Sequence, residues 1–262
     1  MGWIDTHAHL AAPSLFEQID AVLERADRAG MEGILCVAVD LETSEQCLQI
    51  ASNHAAVRAS VGIHPNYVHQ ASSLDWDRVV RLANSPRTVA LGESGLDKYW
   101  KDSPFELQLD FFARTWELSR QTDLPVIVHM RECEPEMLQA LALEYKQKPL
   151  RGVMHSFSGS LETAMSCLEM GMYISFAGML TYKKSVQLRE TASRIPLDRL
   201  LVETDCPYLS PEPNRSKRPN EPAWLVHTAA VLAEIHGVDI GLLREATHQN
   251  SMRLFDRWNA HS

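Results

Sequence analysis

Short apolar runs alternate with amphipathic helical patterns from one end of the chain to the other. Eight runs read as strands: WIDTHAH (3–9), GILCVAV (33–39), RASVGIH (58–64), TVALGES (88–94), PVIVHMR (125–131), GVMHSFS (152–158), MYISFAG (172–178) and LLVETDC (200–206). They are short, β-branched and mostly apolar, as strands buried on both faces are. Between them lie helices with readable starts. Ser14-Leu15-Phe16-Glu17 and Thr43-Ser44-Glu45-Gln46 fit the capping box, and Ser103-Pro104-Phe105-Glu106 adds proline at the first helical position. In that third helix Phe105, Leu109, Phe112 and Trp116 recur at spacings of three and four, which marks a core stripe rather than a cofactor contact. Eight strands alternating with helices predict a (β/α)8 TIM-type barrel, one domain over residues 1–262, with a doubly wound open sheet as the alternative. The nearest thing to a linker is the proline-rich PYLSPEPNRSKRPNEP (207–222).

The polar residues fall where this architecture would use them. Residues i and i+2 of a strand share a face, so His7 and His9 project side by side. His64 ends the third run, Glu93 the fourth, His129 and Arg131 the fifth, His155 lies in the sixth, and Glu203 and Asp205 close the eighth. In a barrel these C-terminal strand ends meet at one mouth, whatever their distance in sequence. A lone histidine on an apolar strand is usually a hydrogen-bonded core residue; several at the same level of different strands are not explained that way. His54, His69, His227, His236, His248 and His261 fall elsewhere and read as solvent or packing residues. Four histidines with two carboxylates exceed what one tetrahedral ion needs. They match two metals sharing a carboxylate, with Zn, Mn, Fe, Co, Ni and Mg all compatible. Such a pair activates water and clamps a phosphoryl or carbonyl oxygen.

Charge narrows the function classes. A net charge of −9 and a sequence pI near 5.6 argue against a broad basic surface coating duplex nucleic acid, though not against a local basic pocket. Five scattered cysteines without CxxC pairing predict reduced thiols. Cys206 adjoins Asp205 and Cys133 follows Arg131 by two; both read as packing residues, although oxidation at either would disturb the site. No apolar run is long enough to span a membrane and the first strand starts too early to leave room for a signal peptide, so a cytoplasmic protein is expected. No heptad or apolar stripe announces a partner chain, which favours a monomer.

Taken in order, I-D-T-H-A-H (4–9), G-I-H-P (62–65), G-E-S-G-L-D (92–97), H-M-R (129–131), H-S-F-S-G (155–159), E-T-D-C-P (203–207), N-E-P (220–222) and H-Q-N-S-M-R-L-F (248–255) resemble the TatD-type metal-dependent deoxyribonucleases over almost the whole chain. The resemblance implies that His7, His9 and Asp205 hold one ion and His129 and His155 a second, with Glu93 bridging. It implies Asp205 as general base, and Glu203 beside it as a partner of water or of a ligand histidine, or as a buried ion-pair member. His64 would contact a substrate phosphate or hold Asn66 and the following turn. Arg131 has the planar fork for bidentate phosphate contacts. Lys98, Lys183, Lys184, Arg215, Lys217 and Arg218 would form a basic rim, with Tyr67, Tyr99, Trp100, Phe157, Tyr182 and Tyr208 as aromatic candidates for base stacking. Ser94, Glu132 and the Arg218-Pro219-Asn220 spacing depart from the usual family pattern without removing a ligand.

The leading expectation is a two-metal hydrolase trimming DNA ends without sequence specificity, in the manner of a 3'-5' exonuclease, with Mg, Mn or Zn as the divalent ions. A small-molecule amidohydrolase, lactonase or phosphoesterase is the second reading. Glu93 stands where that wider superfamily often carries a carbamylated lysine, which favours the nuclease branch. A metal-binding scaffold without chemistry is the third, and the intact ligand set counts against it.

Overall fold

The computed structural model describes residues 1–259, so His261 lies outside the described residues. Eight parallel strands pair in chain order: β1 (Trp3–Ala8), β2 (Met31–Cys36), β3 (Val57–Val61), β4 (Thr88–Asp97), β5 (Val126–Arg131), β6 (Gly152–Met154), β7 (Tyr173–Phe176) and β8 (Leu200–Val202). The residues after β8 meet β1 through an Ala8–Cys206 bridge, with Asp205 N–H donating to His7 O at 2.9 Å and His9 N–H to Cys206 O at 2.8 Å. The sheet is therefore a nearly closed (β/α)8 barrel, not an open doubly wound sheet.

Among the described residues ten α-helices surround it: α1 (Pro13–Phe16), α2 (Ile19–Arg28), α3 (Leu41–Asn53), α4 (Ser73–Leu82), α5 (Phe105–Thr122), α6 (Glu134–Tyr145), α7 (Leu161–Glu169), α8 (Val186–Ala192), α9 (Leu225–His236) and α10 (Ile240–Leu254). Phe112 and Trp116 of α5 are buried in the layer between barrel and helices, and Phe105 and Leu109 pack against it, as the stripe predicts. The helix starts differ from the sequence reading. Helix α1 begins at Pro13 after an uncapped Ala12, so Ser14 is inside it. In α3 the cap is Asp40, whose Oδ1 accepts from Thr43 N–H at 2.8 Å while Thr43 Oγ1 accepts from Asp40 N–H; Thr43 closes the box at its last position and is not its cap. Ser103 pairs with His69 at 2.8 Å instead of capping α5. No single described helix is long and apolar enough to cross a membrane.

Inside the barrel, Ile4, Leu35, Val89, Ile127, Val153, Tyr173 and Leu201 form a floor sealed by Leu254, Phe255 and Trp258 from the chain's end. Two residues further along three of these strands come His129, His155 and Glu203, so period-two alternation carries the apolar floor directly into a polar upper layer. Most strands end earlier than their apolar runs: β3 stops at Val61, β6 at Met154 and β8 at Val202. The polar residues beyond those points leave the ladder and line the mouth.

Candidate metal centre

Backbone geometry places Glu93 at the centre of the mouth. The β4–β5 register shifts between Leu91 and Ser94, a bulge that re-aims the intervening side chain. Gly92 sits at φ +124°, and a Cβ on Gly62 would lie 2.7 Å from the Gly92 Cα, so β3 and β4 touch here through two glycines. Glu93 N–H then donates to Ala38 O at 2.9 Å, and the carboxylate points inward, 2% exposed.

Around that carboxylate the predicted residues converge. Its Oε1 lies 2.8 Å from His129 Nδ1, 2.8 Å from His155 Nε2 and 3.3 Å from His64 Nε2. Its Oε2 lies 3.3 Å from His7 Nε2 and 3.5 Å from His9 Nε2. Asp205 Oδ1 is 3.7 Å and 3.4 Å from the same two nitrogens, which are themselves 3.1 Å apart. Donor atoms of His7, His9 and Asp205 thus gather within 4.8 Å, as do those of His7, Glu93 and His155 and those of His64, Glu93 and His129.

The outer ring nitrogens separate the histidines into two kinds. His9 Nδ1 faces the Val37 carbonyl at 3.1 Å, so it carries the proton and leaves Nε2 bare toward the cluster. His155 Nδ1 donates to Glu203 at 3.3 Å, freeing Nε2, and His129 Nε2 donates to Asp97 Oδ2 at 2.9 Å, freeing Nδ1. A hydrogen-bonded far nitrogen is the usual device for fixing a metal-binding imidazole. His64 is wired the other way. Its Nδ1 accepts from Asn66 N–H at 3.0 Å, so in the neutral ring Nε2 carries the proton and can only donate. Burial drives its pKa down to about 4, which keeps it neutral. His7 Nδ1 is buried without a partner while its Nε2 faces the two carboxylates.

The charges agree with a cation site. Burial opposes ionisation of Glu93 and Asp205, but the imidazoles beside them outweigh it and hold both carboxyls below the usual range. Burial likewise opposes charge on His9, yet Asp205 and Glu93 carry it up to about 8. Protons on the imidazoles therefore stand in for positive charge among the carboxylates. The residues present fit divalent metal: imidazole nitrogens that an ion would free of their protons and ionised carboxylates, without a thiolate, face one buried space.

Asp205 is set by its neighbours. It adopts the left-handed conformation at φ 54°, which aspartate tolerates better than most residues. Asp5 fixes the preceding turn, accepting from Thr204 N–H at 3.0 Å, Thr204 Oγ1–H at 2.6 Å and His7 N–H at 3.2 Å. Asn220 donates to Thr204 O and Tyr208 O, and Glu221 pairs with Arg25 at 2.7 Å, so the N-E-P motif clips the long loop to the barrel.

Other expected residues lie apart from the cluster. Lys98 pairs with Glu136 and covers the Phe105 ring at 4.9 Å, while Arg131 stacks on Tyr99 at 3.8 Å. Phe157 is buried against Phe176 and is not a stacking surface; Tyr67, Tyr99, Trp100 and Tyr208 are exposed. Cys133 and Cys206 are buried, and burial raises both thiols, Cys133 to about 11, so they are packing residues rather than reactive ones. Asp97 was assigned no role from the sequence, although strand alternation puts positions 93 and 97 on one face. Burial opposes its charge, but bonds from His129 and Trp100 N–H bring its pKa to about 2.

Comparison with known proteins agrees with this picture. The TatD related DNase family matches residues 4–256. The chain belongs to that family. It is 35% identical to the uncharacterized metal-dependent hydrolase YabD of Bacillus subtilis, over 96% of this chain and 98% of that one. It is 34% identical, over the same shares, to the 3'-5' ssDNA/RNA exonuclease TatD of Enterobacter lignolyticus. The solved structure of the TatD homologue YjjV from Escherichia coli superposes with a TM-score of 0.91 at 30% identity, covering 97% of this chain and 98% of that one. The protein is thus a metal-dependent hydrolase of the TatD family.

Proposed function

We propose that this TatD-family protein is a two-metal phosphodiesterase that removes nucleotides from DNA ends in the 3'-5' direction. The observation that carries the reading is the division of Glu93: one carboxylate oxygen serves His7 and His9, the other His129 and His155. The exonuclease name of the Enterobacter relative supports the substrate class.

His7, His9, Asp205 and Glu93 would hold one ion, and Glu93, His129 and His155 the other. Divalent ions held there supply Lewis acidity toward a phosphoryl oxygen and a nucleophilic water at neutral pH. Asp205 takes the proton of the attacking water, with its pKa held low enough to be ionised and ready. The neutral His64 offers its Nε2–H to a phosphoryl oxygen. Glu203 and Asp97 orient His155 and His129. Water adds at phosphorus as the bond to the leaving nucleoside oxygen breaks. Arg131 stands on the rim as a bidentate phosphate contact, presented by its stack on Tyr99.

The test is nucleotide release from end-labelled single-stranded and duplex DNA with Mg, Mn and Zn, beside Asp205→Asn and a chelator control. Release that disappears in both controls, with label retained or lost according to the labelled end, is the expected result. Silence from folded, metal-loaded protein, together with turnover of a lactone or amide panel, overturns the reading in favour of a small-molecule hydrolase.

A further inference from the structure

The cations around the mouth are unequally neutralised. On the β4 side Lys98 is paired with Glu136, while Lys101 donates to the Lys98 carbonyl and Arg131 lies over Tyr99, both without a carboxylate partner among the described residues. On the opposite side Lys183, Lys184 and Lys217 have no carboxylate within 4 Å among the described residues, in a chain of net charge −9. Arg215 meets Glu212 only at 4.0 Å and otherwise lies over the Tyr182 ring.

Lys184, next in the chain to Lys183, lines a groove of about 680 Å³ together with Ser158, Ser160, Met179, Tyr182 and Gln187. One wall is the loop after β6, entering the lining at Ser158, three residues beyond His155; the other is the segment between β7 and α8 together with α8 itself. The lysine-bearing loops are held in place. Arg189 donates to the carbonyls of Leu180, Tyr182 and Lys183, Tyr182 Oη to Ser210 O at 3.1 Å, and Glu212 N–H to Thr181 Oγ1 at 2.8 Å. Of the two acids lining the groove, Glu134 is turned to the start of α7, accepting from Ser160 N–H and Oγ–H and from Thr163; Glu190 is exposed.

We infer that this groove is the path of the substrate chain beyond the scissile phosphate, with Lys184 and the adjacent Lys183 contacting its phosphates and the hydroxyl and amide side chains facing its sugars and bases. The inference rests on the nuclease reading and adds a direction to it: the strand leaves the metal centre over the β6–β8 loops, not over β4 and β5. Unpaired cations on ordered loops beside an open groove are what a polyanion needs, since each phosphate contact releases a counterion.

Binding of fluorescein-labelled single-stranded dT12 is followed by anisotropy in EDTA across a salt series, and its cleavage is followed with Mg. The Lys183→Ala/Lys184→Ala protein is compared with Lys146→Ala/Lys148→Ala, which removes the same charge from the far end of α6. The groove variant is expected to flatten the slope of log affinity against log salt by about 1.4, at roughly 0.7 per single-strand phosphate contact. Its KM for dT12 rises several-fold with kcat held, while the α6 variant matches wild type. If both variants behave alike while wild type cleaves dT12, the groove is not the strand path and the nuclease reading stands. If wild type neither binds nor cleaves dT12, the nuclease reading falls and takes the groove with it.

Discussion

Asp97 Oδ2 lies 2.9 Å from His129 Nε2, on the side of the ring away from Glu93. Glu203 does the same for His155 at 3.3 Å, and its Oε1 also accepts from Ser156 N–H at 2.7 Å. Both histidines proposed for the second ion are thus anchored by a buried carboxylate. Asp97→Asn and Glu203→Gln should each lower metal affinity by about 10–100-fold with the fold retained, the usual cost of removing such a partner. Calorimetric titration with Mn or Zn checks this, with circular dichroism to confirm folding. A Glu203→Gln protein that binds metal as wild type does yet loses turnover would give Glu203 a proton-transfer role instead.

His64 should behave differently from its neighbours. With Nδ1 committed to Asn66, the ring has no free lone pair for an ion. His64→Ala should keep full metal content, while His129→Ala loses about one equivalent of bound metal. The His64 variant should lose roughly 100–1000-fold in kcat on DNA, the range for deleting a donor to developing charge. Metal analysis by mass spectrometry beside steady-state kinetics separates the two roles, and loss of an ion from His64→Ala would make it a ligand.

The fold and the centre of the site were legible because period-two alternation and the strand-end positions of His7, His9, Glu93, His129, His155 and Asp205 are local features of the chain. What lay beyond reach was non-local. Nothing in one dimension says that Val37 O meets His9 or that Lys98 is consumed by Glu136. The direction of the His64 tautomer follows from a turn that only forms once the strand ends. Asp97 is the instructive case: its face was predictable, but β4 runs three residues past the expected strand because Ser94, Gly95 and Leu96 keep pairing with β5 beyond the bulge.

That extended pairing depends on a glycine. A Cβ at Gly95 would stand 2.0 Å from His129 O, with backbone rather than a movable side-chain tip in the way. Gly95→Ala must push β4 and β5 apart at the level of His129. The expected cost is about 3 kcal/mol, the upper part of the overpacking range, which lowers Tm by roughly 6–12 °C at ~2–4 °C per kcal/mol. Metal affinity should fall with it, because His129 moves. Thermal unfolding of the chelator-treated variant checks the claim, and an unchanged Tm would mean that the strands are not in this register.

Protons and metal should compete at the centre, with opposite pH trends for the two forms. His9 titrates at about 8 in the folded metal-free protein, against about 6.5 in an unfolded chain. Between those values the folded state holds a proton that the unfolded state has released, so its contribution to stability is full below pH 6.5 and lost as pH rises through 8. Raised His129 and His155 act in the same sense. Asp5, pushed to about 7 by burial, does so at lower pH and has lost its share by neutrality. Metal reverses the trend: an ion must displace these protons, so uptake releases protons and strengthens as pH rises. Chelator-treated protein should therefore lose Tm between pH 6.5 and 8.5, while the gain in Tm on adding Mn or Zn grows over the same interval. A metal-free Tm that climbs through this window would mean that the imidazoles do not carry the protons assigned to them.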